Sequence, residues 1–275
     1  MKRKMKVKDI QLLATNVFIT GLICFPIVYI FYMSIQPAAN ILSYPPRFSS
    51  KSITLENYKS VFVLTPLVRF IINSLLVSVA STFLQVALAC TCAFALSFYK
   101  YKIKDFLFLV ILSTVMIPAQ TIFIGNYLII RQMGLLNTYA ALILPNSVSA
   151  FGIFFIRQYF KTIPFEFYEA AKVEGCSNFD YLFKILVPLS KPAIGSFMIY
   201  SFVSVWNQYM WPLLVTDKDE IRTVQIGISM LQAAEQQNIG LIAAGVIVVI
   251  LPTLLIFIIG HDQLIKGLTA GALKS

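Results

Sequence analysis

The stretch FIINSLLVSVASTFLQVALACTCAFALSFY, residues 70–99, runs for thirty positions without one Lys, Arg, Asp or Glu. A helix rises about 1.5 Å per residue, so about 20 apolar residues cross a hydrocarbon core of about 30 Å. A membrane-barrel strand alternates its faces and needs only about 9–11 residues. The stretch therefore reads as a membrane-spanning helix. Five more uncharged runs, each of at least 25 residues, occupy 10–46, 106–130, 132–156, 192–216 and 236–260. The expectation is an all-α polytopic membrane protein with one transmembrane domain over residues 1–275, and spans near 11–33, 70–98, 106–130, 137–156, 192–214 and 238–260.

Composition agrees with that reading. The 275 residues are 58% hydrophobic and 12% charged, with a mean hydropathy of +0.79; soluble domains run nearer 45–50% and 25%. A soluble monomer of this composition would expose large apolar patches. Disorder and a disulfide scaffold are excluded by the apolar content and by only 4 cysteines. Cys24, Cys90 and Cys92 lie in spans and Cys176 in a connection; Cys90 and Cys92 point to different sides of a helix, so packing rather than metal binding or a disulfide is expected.

With the amino terminus placed inside, 15 of the 22 basic residues fall on inside segments and 7 on outside ones. That bias puts both termini in the cytoplasm. It also accounts for the net charge of +10 by topology and anionic lipid, where nucleic-acid binding would need a single basic patch. The start resembles a signal peptide, but its apolar run is too long and Pro37-Ala38-Ala39 is a poor cleavage site. It is read as an uncleaved first span.

The connections differ in character. The outside segment 34–69 is turn-rich, with Pro37, Pro45, Pro46 and Pro66. The inside segment 100–105 is short and basic, and 131–138 is a tight outside turn at Gly134. Outside residues 217–235 hold Val224, Ile228 and Leu231 at helical spacing, which suits a helix lying on its own protein. The inside connection 157–191 is the unusual one, holding nine charges: Arg157, Lys161, Glu166, Glu169, Lys172, Glu174, Asp180, Lys184 and Lys191. Pro164 suits a first helical position and Gly175 the residue just past a helix end. Ser177 with Asp180 reads as a cap for a second helix, stopped by Pro188. A helix, a glycine elbow and a second helix follow. Composition alone fits a loop packed beneath its own helices as well as it fits a docking element.

Membrane enzymes and proton-coupled pumps need buried ionisable groups, and no span interior has one. The sole histidine, His261, stands at a span exit, and Gly227-Ile228-Ser229-Met230 lacks the second glycine of a nucleophile turn. No Gly-Lys-Ser/Thr phosphate loop exists, so any ATP is bound by another chain. Five spans carry a proline: Pro26, Pro118, Pro145, Pro212 and Pro252. Broken helices often border transport sites. Gln120, Asn126, Asn146, Asn207 and Gln208 are uncharged polar residues in or beside spans; each serves either as an interhelical hydrogen-bond partner or as a contact on a substrate path.

Glu169-Ala170-Ala171, three residues, Gly175, nine residues, Ile185, one residue and Val187-Pro188 together resemble the EAA motif. That motif marks the membrane subunits of binding-protein-dependent ABC importers. Val187 stands where the usual form has Leu, and Glu174 where Asp is common; neither removes the elbow. The resemblance extends from about residue 10 onward and is nearest the carbohydrate-uptake branch, of the maltose-transporter second-permease type. Thr54-Leu-Glu-Asn-Tyr58, Asn73-Ser74-Leu75, Trp206-Asn207-Gln-Tyr-Met-Trp-Pro-Leu213 and Gly267-Leu-Thr-Ala-Gly-Ala-Leu-Lys274 carry it. The Trp-Asn-Gln-Tyr segment also resembles glycerol 3-phosphate permeases.

The resemblance implies a bacterial cell-membrane permease without catalysis or a bound cofactor or metal of its own. Glu169, Ala170, Ala171 and Gly175 would form a cytoplasmic coupling element within 157–191, docked on an ATPase. The tail 261–275, with Lys266, Gly267 and Lys274, would reach between two ATPase subunits that hold ATP and Mg. A second permease would complete the path and often holds the better-defined sugar site. A binding protein would dock on the outside loops, 217–235 included. Two rivals stay open at this point: an ATPase-independent channel or secondary carrier for a small neutral solute, and an intramembrane hydrolase using Ser229.

Overall fold

The computed structural model describes residues 7–41, 53–234 and 238–269, all in helices, turns and loops. Among the described residues three helices are long and apolar enough to cross a membrane: α1 (Val7–Ser34), α4 (Leu67–Phe98) and α15 (Ile239–Thr269). Between the first two stand one turn of helix, α2 (Ala38–Ile41), and α3 (Glu56–Leu64). Three further apolar stretches are bent pairs. The first joins α5 (Lys104–Thr114) to α6 (Ala119–Gln132) at 95°. In the second, α7 (Tyr139–Ile143), continued to Asn146 by a 3₁₀ turn, meets α8 (Ala150–Phe160) at 44°. In the third, a helix over Asn178–Leu189 meets α12 (Lys191–Trp206) at 82°. Among the described residues this makes up to six spans by length and composition; in the third pair α12 supplies the apolar part, because Asn178–Leu189 carries Asp180 and Lys184 and belongs to the connection 157–191.

The remaining elements are α9 (Glu166–Val173), α13 (Met210–Val215) and α14 (Val224–Ala234). The helix over Asn178–Leu189 is composite: α10 (Asn178–Asp180), a π-helical stretch (Tyr181–Leu186) and α11 (Val187–Leu189). Pro188 has no N–H for its fourth preceding carbonyl and its ring crowds that carbonyl, and the wider turn lies immediately before it.

The span prolines behave in two ways. Pro26 and Pro252 lie inside the unbroken α1 and α15. Pro212 lies in the first turn of α13, whereas Pro118 caps α6 and Pro145 is the second residue of the 3₁₀ turn. At these two breaks, polar side chains bond nearby carbonyls. Ser113 and Thr114 hydroxyls donate to the carbonyls of Val110 and Ile111, each at 2.7 Å, and Asn146 Nδ2 donates to Leu142 at 2.8 Å. Local bonds of this kind let a helix end inside an apolar stretch. The stretch expected as one span over 192–214 is α12 and α13, separated at Asn207, Gln208 and Tyr209.

Two compact units emerge, their boundary falling within α4, α14 and α15. One draws on Met1–Leu67 and Gly227–Ile250. There Asn57 of the Thr54–Tyr58 motif donates to the Ser34 and Gln36 carbonyls at 2.9 and 2.8 Å, and the Tyr58 hydroxyl pairs with Ser34 Oγ at 2.7 Å. The motif staples α3 to the end of α1. By contrast α1 itself buries almost nothing, with Leu12, Val17, Phe18, Leu22 and Phe25 all exposed.

In the other unit, Val68–Ile226 with Leu251–Ser275, the described residues form two cores. One gathers Phe94, Phe98, Phe108, Ile156, Phe160, Tyr181 and Leu186. The second gathers Val77, Ile130, Leu142, Val205, Trp211 and Val215, with Trp211 Nε1 donating to Ala141 O at 3.0 Å. α12 and α15 approach closely: a Cβ on Gly260 would stand 2.2 Å from Ile199 Cδ1.

Candidate functional site

The connection 157–191 is a helix, an elbow and a helix. Pro164 and Phe165 start α9, their carbonyls accepting from the N–H groups of Phe167 (3.3 Å) and Tyr168 (2.9 Å). The end of α9 is a Schellman turn. Gly175, at φ +80°, donates its N–H to Lys172 O at 3.1 Å, and Cys176 donates to Ala171 O at 2.9 Å. The left-handed backbone at Gly175 is what glycine tolerates and a Cβ disfavours. Ser177 then caps the next helix, its Oγ accepting from Asp180 N at 3.0 Å. Hydrogen bonds from Lys184 and Ser177 hold the Asp180 carboxyl below its ordinary value.

What lies under the loop is aromatic. Tyr168 stands 5.2 Å from Phe98 and 5.0 Å from Tyr181, ring centre to ring centre, and Phe94 stands 5.3 Å from Phe98. Such pairs each add about 0.5–1.5 kcal/mol beyond area burial. Asn178 bridges the two halves of the elbow to α4. Its Oδ1 accepts from Tyr168 Oη (3.0 Å), and its Nδ2 donates to Tyr99 Oη (2.9 Å). At the loop's root Arg157 is buried, its guanidinium 3.8 Å over the Phe108 ring and 2.9 Å from Asp105. Counting charges assigned Arg157 to a connection but gave no hint that it is buried.

The motif residues divide by face. Ala171 is buried against the aromatic core, whereas Glu169, Ala170 and Gly175 are exposed. Beside them Val173 is 89% exposed, and Phe167, Phe179 and Phe183 are exposed as well. The loop is thus anchored on one side and presents carboxylate, small and apolar groups on the other. Of the tail residues, Lys266 and Gly267 lie in the last turn of α15, and Lys274 lies outside the described residues.

The polar residues singled out in the sequence do not form one group. Asn146 and Gln208 meet as a reciprocal amide pair, Nδ2 to Oε1 at 3.0 Å and Nε2 to Oδ1 at 2.7 Å. Both stand at helix breaks. Asn207 accepts from Gln225 Nε2 at 3.3 Å. Gln120 and Asn126, on α6, have no side-chain hydrogen bond among the described residues. Two partners had gone unnoticed in the sequence: Gln85 donates to Asn146 O at 2.6 Å and accepts from Ser201 Oγ at 2.8 Å. Gln85 sits within an apolar run, and that mid-span amide was the available signal.

Among the described residues, up to six apolar stretches, three of them bent, stand with an anchored helix-elbow-helix, an architecture of the membrane-spanning kind. Residues 85–261 match the family described as the binding-protein-dependent transport system inner membrane component, and the chain belongs to that family. It is a non-catalytic, multi-pass inner-membrane permease of the bacterial type, and ATP hydrolysis occurs on a separate ABC ATPase. Among its relatives is the arabinooligosaccharides transport system permease protein AraQ of Halalkalibacterium halodurans, 30% identical over 94% of this chain and 93% of that one. The sn-glycerol-3-phosphate transport system permease protein UgpE of Brucella abortus is 32% identical, over 94% and 95%. A solved chain from a bacterial ABC transporter involved in the import of the acidic polysaccharide alginate superposes with a TM-score of 0.78 over 95% of this chain and 99% of that one. At 21% identity, that likeness concerns the fold.

Proposed function

We propose that the chain is one of two permeases in an ATP-driven importer of a carbohydrate or polyol phosphate delivered by an extracytoplasmic binding protein. The observation that carries this reading is the loop 157–191. A Schellman elbow and an aromatic platform hold it, and it turns Glu169, Ala170 and Val173 outward. A knob of small and acidic groups on a rigid base suits a cleft in a partner. Both termini are cytoplasmic in this reading, so the loop and the tail with Lys266, Gly267 and Lys274 face two ATPase subunits. Closure of those subunits on ATP moves the loop and, through Ala171, Tyr168 and Phe98, the base of α4.

The substrate class rests on the relatives' names, which share polyhydroxylated cargo. Its path includes the Asn146–Gln208 amide pair and Asn207, with Gln120 and Asn126 on the α6 side; a maltose-type arrangement places the main sugar contacts in the companion permease. Amides offer both donors and acceptors to hydroxyls without burying a charge. The reading is tested with Glu169→Arg and Gly175→Leu in the assembled complex. Both are expected to abolish uptake and weaken ATPase association. Full transport and assembly in both variants overturns the coupling assignment.

A further inference from the structure

Residues 216–223, between α13 and α14, form no helix, yet side chains from elsewhere hold them at both ends. At the start stands Asn137, in the left-handed conformation at φ 59°. Its N–H donates to Val215 O at 3.0 Å, while Oδ1 accepts from the N–H groups of Asp217 (2.8 Å) and Lys218 (3.3 Å). At the far end stands Asn73, on α4 and 2% exposed. Its Nδ2 donates to the carbonyls of Glu220 and Arg222, both at 2.9 Å, and its Oδ1 accepts from the Tyr139 hydroxyl at 2.7 Å. Neighbouring Ser74 accepts from Val224 N at 2.8 Å and so caps α14.

Polar side chains on these helices commonly bond their own helix: Thr91 donates to Ala87 O and Thr65 to Val61 O. Asn73 does not. Every polar atom of its carboxamide is used on other elements, and both loop partners are main-chain carbonyls. Main-chain bonds fix register whatever side chains the loop carries. The loop meanwhile leaves four consecutive charged residues exposed, Asp217, Lys218, Asp219 and Glu220, with Asp219 2.7 Å from Arg222.

We infer that Asn73 is a positioning residue that holds the charged ledge 217–220 in one register for the binding protein. The inference rests on the proposed reading that this loop faces that partner. Asn73 is buried, with both amide atoms already bonded within the chain. It acts through the Glu220 and Arg222 carbonyls, with Tyr139 orienting its amide. The role accounts for the Asn73-Ser74 pair of the sequence, which the coupling loop leaves unexplained.

The test uses the complete transporter in lipid nanodiscs with its purified, liganded binding protein, and follows ATPase rate against binding-protein concentration. Asn73→Ala removes two loop bonds and is expected to raise the half-saturating concentration roughly tenfold, with basal and maximal rates unchanged. Asn73→Asp keeps the volume but turns a carboxylate onto two carbonyls, and matches the alanine variant. Tyr139→Phe, which frees only the amide's orientation, raises it roughly threefold. An unchanged half-saturating concentration in an assembled Asn73→Ala complex overturns the inference. So does a fall in maximal rate alone, which marks a merely structural role. If Asn73→Ala does not assemble, Tyr139→Phe decides by the same criterion. A wild-type complex whose ATPase ignores the binding protein overturns the underlying reading instead.

Discussion

The two ends of α4 organise their surroundings by different physics. At one end Asn73 and Ser74 take hold of a loop through three directional bonds of 2.8–2.9 Å. At the other, Phe94 and Phe98 support a loop through ring contacts of 5.2–6.3 Å, and Asn178 supplies the polar link to α4 through Tyr99. A hydrogen bond weakens steeply when misaligned, whereas stacked and edge-on rings tolerate tilts and offsets. The Asn73 end therefore sets register. The Phe98 end sets the distance of the helix-elbow-helix from α4.

The largest effect should come from breaking the aromatic end. Phe98→Ala empties the space among Phe165, Tyr168 and Tyr181 and is expected to cost about 3–5 kcal/mol, read as thermal unfolding of the purified complex. A loss below about 1 kcal/mol would show that the rings do not support the loop. Asn73→Ala comes next, at about 1–3 kcal/mol, because two loop carbonyls lose their donor. If it proves costlier than Phe98→Ala, the division between the two ends is wrong.

Gly175→Ala sharpens the comparison without touching either end of α4. A Cβ there meets open space, so only the left-handed backbone at φ +80° resists, and about 1–2 kcal/mol is expected. A wild-type melting temperature would mean that the elbow relaxes to another conformation. The smallest stability effect belongs to Val173→Ser. This exposed position should change stability by less than about 0.5 kcal/mol, yet ATPase co-purification should fall. Unimpaired association would remove Val173 from the docking face.

Much of this was legible in the sequence, and the failures have physical causes. Charge exclusion revealed the six apolar stretches because lipid tolerates no unpaired charge. The elbow was legible because Gly175 and Ser177 act locally, through their own backbone and cap. Prolines were not enough to locate breaks. Pro26 and Pro252 stay inside helices, and Pro118 and Pro145 end them where Ser113, Thr114 and Asn146 take nearby carbonyls. Arg157, Gln85 and Asn73 were opaque for another reason: their hydrogen-bond partners lie between 52 and 149 residues away, and nothing in a single sequence says which polar residues meet. For the same reason the sequence did not tell that Asn146 pairs with Gln208 while Gln120 and Asn126 make no side-chain hydrogen bond among the described residues.

In the proposed reading this chain moves solute only when a separate ATPase drives it through the 157–191 loop. The direct measurement is uptake of radiolabelled glycerol 3-phosphate and of arabinooligosaccharide into proteoliposomes. These would hold the permease pair with its binding protein, with and without the ATPase subunits and internal ATP. One cargo class should accumulate only with both ATPase and ATP, and none when the Glu169→Arg chain replaces the wild type. Uptake of equal rate without the ATPase would contradict it and identify an autonomous carrier.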